Sequence, residues 1–256
     1  MKKYFILIIF VGIFFFASDS HAATVTFATN GTTTKNTFDT ARTSNTFTHT
    51  VPAVGADENR ALVCLLVNQH AAATTGVTWN GTAMVEIKSF SAVRRFGYKA
   101  YYLAAPEVGT NLNIVSSYNE SRSQGETWCF TLKDVVQDSG TVLDASGQAD
   151  SASAASLSKA ITTTLDGAMV LTTIIVEIGT PVNAVPDVGQ TTMGQADNTE
   201  LDDSSSITQT TAGSITTGYT WTNAGGTDIY VISLKYQAPA GGGGGAAALN
   251  RRIWWE

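Results

Sequence analysis

The stretch Asn59-Arg60-Ala61-Leu62-Val63-Cys64-Leu65-Leu66-Val67-Asn68 runs apolar without a break from Ala61 to Val67, with polar residues at both ends. A run so short and so rich in Val and Leu predicts a strand covered on both faces, at the centre of a sheet-on-sheet core. The neighbouring segments read as strands laid beside or over it. Upstream, residues 46–51 alternate Phe47, His49 and Val51 against Thr46, Thr48 and Thr50, and Pro52 and Gly55 turn the chain into the central run. Residues 24–28 form a first strand, followed by a Thr- and Asn-rich connection as far as Ser44.

Downstream, Val77-Thr78-Trp79 and Thr82-Ala83-Met84-Val85 flank Asn80-Gly81, the pair favoured in a type I′ hairpin because both central positions need positive φ. Strands are expected over 96–103, 112–118 (Leu112, Ile114 and Tyr118 on one face) and 127–132. Residues 137–156, full of Ser, Gly, Ala and Asp, read as a loop. Further strands follow at 158–164 and 168–178, joined by the turn pair Asp166-Gly167, then at 206–209, 215–221 and 228–236, with 189–203 weakly patterned. No segment before the tail has helical periodicity. The expected fold class is all-β, an antiparallel two-sheet sandwich, jelly-roll-like.

The ends carry a different message. Lys2 and Lys3, an apolar core over 4–16, and Ser20-His21-Ala22 follow the charge, hydrophobe and small-residue order of a cleaved secretory leader. The core is shorter than the roughly 20 residues of a membrane span. The expected organisation is therefore leader 1–22, β-sandwich 23–237, Pro/Gly-rich linker 238–245 and docking segment 246–256, with no spanning segment in the mature chain. Export predicts a secreted or cell-surface location. It also makes a disulfide between Cys64 and Cys129 chemically permissible. The residues alone leave two readings open, a bridge or two buried thiols acting as small hydrophobes.

The chain carries a formal net charge of −6, and removing Lys2, Lys3 and Asp19 with the leader makes it one unit more negative. An acidic chain without a basic stripe repels phosphate, which excludes nucleic acid as the expected partner. Only 14% of residues are charged, while Thr and Ser abound, as suits strands whose hydroxyl face meets water.

Several landmarks together resemble a loose group of bacterial and phage-associated secreted β-sandwich domains, most of them uncharacterised. They are Asn59-Arg60-Ala61-Leu62-Val63, then Val77-Thr78-Trp79-Asn80-Gly81-Thr82-Ala83-Met84, then Tyr101-Tyr102-Leu103-Ala104-Ala105-Pro106-Glu107-Val108-Gly109-Thr110, and Phe130-Thr131-Leu132-Lys133-Asp134-Val135. The group's Val-Asp order stands here as Asp134-Val135. The resemblance spans about residues 46–236 and rests on turn and core positions. It implies a scaffold of the adhesive, surface or virion-associated kind and carries no catalytic signature.

The candidate chemistry is sparse. After the leader only His49 and His70 remain, and neither sits in a zinc or triad motif. His49, between Phe47 and Val51 on its strand face, reads as a structural histidine. No cofactor is expected, apart from Ca²⁺ at the acidic cluster Asp197, Glu200, Asp202 and Asp203. Tyr219 and Trp221 lie two apart and so share a strand face, where, with Trp79 at the hairpin, they could stack on sugar rings. In the tail, five glycines (241–245) precede Leu249, Arg251, Arg252, Ile253, Trp254 and Trp255, a short peg rich in side chains that dominate binding interfaces. The functional expectation is a secreted, non-enzymatic structural or adhesive module. It would self-associate or dock to a surface or virion protein. The alternatives are a carbohydrate-binding module and, further off, a jelly-roll enzyme cleaving glycans with paired carboxylates.

Overall fold

A computed structural model describes residues 23–238, apart from 29–32, 39, 55–57, 70–73, 92–95, 123, 178–183 and 198–200. Residues 1–22, expected to be a leader, and everything after Ala238, including the expected glycine linker and the six expected docking residues, lie outside the described residues, as does His70.

The first half of the chain supplies β1 (Thr26–Phe27), β2 (Thr34–Phe38), β3 (Arg42–Val51), β4 (Ala61–Gln69), β5 (Thr74–Trp79), β6 (Thr82–Ala83), β7 (Val85–Phe90), β8 (Phe96–Ala104), β9 (Gly109–Arg122) and β10 (Gly125–Lys133). The second half supplies β11 (Leu143–Thr163), β12 (Ala168–Glu177), β13 (Val185–Pro186), β14 (Thr191–Asp197), β15 (Leu201–Gln209) and β16 (Gly213–Leu234). Every pairing between these strands is antiparallel, and the described residues contain no helix, so none that could cross a membrane. The class is all-β, as the alternation and turn chemistry predict.

Three sheets result. An inner sheet runs β1-β10-β4-β8-β7, with β2 also on β10. An outer sheet runs β3-β9-β5-β6. A C-terminal sheet runs β11-β16-β12-β15-β14, with β13 on β16. The inner sheet is packed on both faces. One face gives Val63, Leu65, Val67, Tyr98, Tyr102, Trp128 and Phe130 to a core shared with Leu171, Ile175, Tyr230 and Ile232 of the C-terminal sheet. The other gives Leu62, Cys64, Leu66, Tyr101 and Cys129 to a core shared with Phe47, Val77, Trp79 and Ile114 of the outer sheet. Hence the uninterrupted run: β4 sits mid-sheet, and Ala61 to Val67 are all 0% exposed. Sequestering each such Leu or Val side chain contributes ~1.5–3 kcal/mol. The expected sandwich is present in the packing of the inner and C-terminal sheets, and the outer sheet adds a further layer.

The second half departs from the sequence reading in one large respect. Residues 143–156 are not a loop but the first part of β11, whose Ser, Ala and Gly residues pair with β16 from Leu143↔Leu234 to Thr163↔Gly213. Small residues with weak strand preference are held there by the ladder itself. Register shifts between Ser151 and Ser156 mark a bend, and the ribbon doubles back on itself. Asp144 accepts hydrogen bonds from the Thr164 amide (2.8 Å) and hydroxyl, and a Cβ on Gly147 would meet Lys159. The far arm of β16 thus lies over its own sheet, where Thr172 donates to Thr217 at 2.9 Å. A third core of Ile161, Val170, Ile174, Tyr219, Trp221 and Val231 fills the fold. The weakly patterned stretch 189–203 contains the whole of β14 and the start of β15.

Both turn pairs behave as their chemistry predicts. Asn80 and Gly81 take φ of 45° and 83°, and Gly167 takes 78°. Gly167 does a second job, since a Cβ there would collide with the Ala23 carbonyl oxygen and approach the Tyr236 Cβ at 3.2 Å. Gly167→Ala is therefore expected to cost about 2 kcal/mol or more, from the left-handed backbone and the clash together, read as a lower urea midpoint at unchanged slope.

Candidate functional site

The aromatic residues expected to meet sugars are core residues. Tyr219 is 1% exposed, Trp221 5% and Trp79 1%. Tyr219 and Trp221 do share a strand face, but the doubled ribbon turns that face inward onto Ile174, Ile229 and Val231. Burial, then the charge of nearby Asp203, pushes the Tyr219 phenol well above its usual pKa. Trp79 immediately precedes the hairpin turn and points under it, edge-on to His49 at 5.9 Å. None of the three offers a ring face for stacking.

Of the acidic cluster, the side chains of Asp197 and Asp202 lie outside the described residues. Asp203 lies on β15, opposite Ile174 of β12. Asp203 is 1% exposed, within the sheet and not in a loop, and Glu200 lies outside the described residues. Among the described residues no group of three or more metal-ligating side chains forms.

The cysteine question resolves as a bridge. Cys64 on β4 and Cys129 on β10 are directly paired across the ladder, with Cα atoms 4.2 Å apart and a disulfide between them. Both are wholly buried at the middle of the inner sheet, on the side facing the outer sheet.

His49 is buried, as its strand face predicts. Its Nδ1 lies 2.8 Å from the Thr34 hydroxyl and its Nε2 3.1 Å from the Thr131 hydroxyl. The ring therefore reaches from β3 of the outer sheet to β2 and β10 of the inner sheet. With neutral partners on both nitrogens, burial lowers its pKa to about 4.

Ionisable side chains meet open space at the margin where the outer sheet ends at β5 and β6 and the inner sheet ends at β7. A cleft of about 420 Å³ opens there, lined by Thr75, Thr78, Met84, Glu86, Tyr101 and Ser117 among others. β7 and β8 pair Glu86 directly with Tyr101, and Lys99 lies two residues before Tyr101 on the same face. Lys99 Nζ donates to Glu86 Oε2 at 2.8 Å and to the Thr74 carbonyl at 3.0 Å, while the Tyr101 hydroxyl donates to the same carboxylate oxygen at 3.4 Å. Burial, with the adjoining carboxylate, raises the Tyr101 pKa. Sequence reasoning passed over this trio. Its signal was K-x-Y on one strand, with a Glu in a neighbouring strand whose register the sequence leaves unspecified. A second cleft, of about 500 Å³, lies at the opposite margin between Phe27, Met169 and Ile207 and is lined by hydroxyl and apolar groups alone.

Comparison with protein-family models, characterised proteins and solved structures finds no match.

Proposed function

We propose that the protein is an exported, non-enzymatic scaffold module, adhesive or assembly-forming, which holds a stiff layered body at a surface and uses its C-terminal segment to dock. The observation that carries this reading is the Cys64–Cys129 bridge at the centre of the sheet that both other sheets cover. A disulfide in that position forms and persists in an oxidising compartment, in keeping with the leader-like N-terminus. It cross-links the two strands on which the rest of the packing depends. The cleft residues support a binding role over catalysis: Glu86 is paired with Lys99 and Tyr101, which hold its carboxylate in place, whereas glycoside cleavage works with two carboxyl groups ~5–9.5 Å apart.

The body ends in an anchored way. Asn59 Nδ2 donates to the carbonyls of Gln237 (3.2 Å) and Ala238 (2.9 Å), and the Gln237 amide donates to the Asp134 carbonyl (2.9 Å). Whatever follows Ala238 leaves from a fixed point. Deleting residues 241–256 is expected to leave the unfolding free energy, from urea melts, within about 0.5 kcal/mol of the full mature chain and to abolish surface retention or assembly, followed by fractionation and analytical ultracentrifugation. Retention and sedimentation indifferent to the deletion would remove the docking role.

A further inference from the structure

We infer that the cleft between β5, β7 and β8 binds a neutral, hydroxyl-rich ligand, specifically a stretch of uncharged polysaccharide. This goes beyond the scaffold reading, and neither depends on the other.

Charge comes first. The ionised group lining the cleft is Glu86, and Lys99 neutralises it at 2.8 Å, so the pair selects neither an anion nor a cation. A ligand carrying its own charge would desolvate it without an unmatched partner waiting. A neutral polyol meets no such penalty.

The hydrogen-bonding inventory fits the same class. Thr75, Thr78 and Ser117 contribute hydroxyls that can donate or accept, as sugar hydroxyls do. Glu86 is held by its Oε2, through Lys99 and Tyr101, so the carboxylate is positioned before any ligand arrives and its Oε1 is the acceptor for a sugar hydroxyl. A charge-assisted bond of that kind is worth ~1.5–3 kcal/mol, more than a neutral one. Lys99 is itself fixed on the Thr74 carbonyl, so ordering costs little.

Shape limits the ligand further. The cleft lies within the usual volume range of small-ligand sites. It opens at the side of the sandwich, and even a Cβ added at Gly76 would meet nothing within 4 Å. An open-sided site of this form admits the interior of a chain as readily as its end.

The experiment is affinity electrophoresis of the full mature chain through gels containing glucomannan, laminarin or hydroxyethylcellulose, with polygalacturonate as the charged comparator. At least one neutral polymer should retard the protein. Glu86→Gln and Thr78→Val should each weaken that retardation about tenfold, with melting curves confirming that both variants fold. Ser158→Ala, on the ribbon arm away from the cleft, should migrate as the unmodified chain does. Retardation by none of the neutral polymers, retardation unchanged in both cleft variants, or a preference for polygalacturonate overturns the assignment. None of these outcomes touches the docking segment, whose deletion tests the scaffold reading separately.

Discussion

Replacing Cys64 and Cys129 together with alanine should lower the unfolding free energy by about 4 kcal/mol. The two residues are 65 apart in sequence, and opening a loop of that length returns to the unfolded chain a conformational freedom of this size in the chain-entropy picture. Local relaxation cannot recover much of it. Both sites are 0% exposed on the middle strands of a sheet packed on both faces, so the vacated volume adds to the loss. The measurement is urea unfolding of the chain from Ala23 onward, oxidised, reduced and doubly substituted. The reduced protein should lie near the double variant, since both lack the cross-link. A double variant within about 1 kcal/mol of the oxidised protein would show that the bridge is not what ties β4 to β10.

Acid should weaken the fold through His49, and the direction follows from its lowered pKa. Between the ordinary value of 6.5 and the folded value of about 4, the unfolded chain takes up a proton that the folded chain refuses. Stability is thus fully present above pH 6.5 and falls as the pH drops toward 4, by ~1.4 kcal/mol per unit and about 3 kcal/mol in all. Among the described residues, the groups that face the ring are the hydroxyls of Thr34 and Thr131 and the edge-on indole of Trp79, none of which can stabilise an imidazolium by opposite charge. Because the imidazole spans from β3 to β2 and β10, its protonation should loosen the outer sheet against the inner one. His49→Gln should flatten the pH dependence over this window, with titrations common to both proteins cancelling in the difference. Parallel curves for the two proteins between pH 6.5 and 4 would remove His49 as the cause.

Certain features are legible in the residues because their physics is local or nearly so. Ala61 to Val67 declares a strand with two covered faces, and the fold supplies a sheet for each. Asn80-Gly81 and Asp166-Gly167 declare their turns because few other residues accept the backbone required. Other features depend on pairing between distant segments. The Ser- and Ala-rich first part of β11 looks like a loop until β16 lies beside it. The shared face of Tyr219 and Trp221 is readable, but its inward direction follows from the ribbon doubling back, which no short window encodes. The carboxylate, lysine and tyrosine of the cleft meet because β7 and β8 pair in one register, and a shift of one residue would separate them.

Gly167 brings Ala23 and Tyr236 to the same spot, so the described body begins and finishes at one address. A polypeptide with that property behaves as a cassette. It can be spliced into an exposed loop of a host protein without prising the host apart, and its own ends can be joined by a short peptide and reopened elsewhere to give a circular permutant.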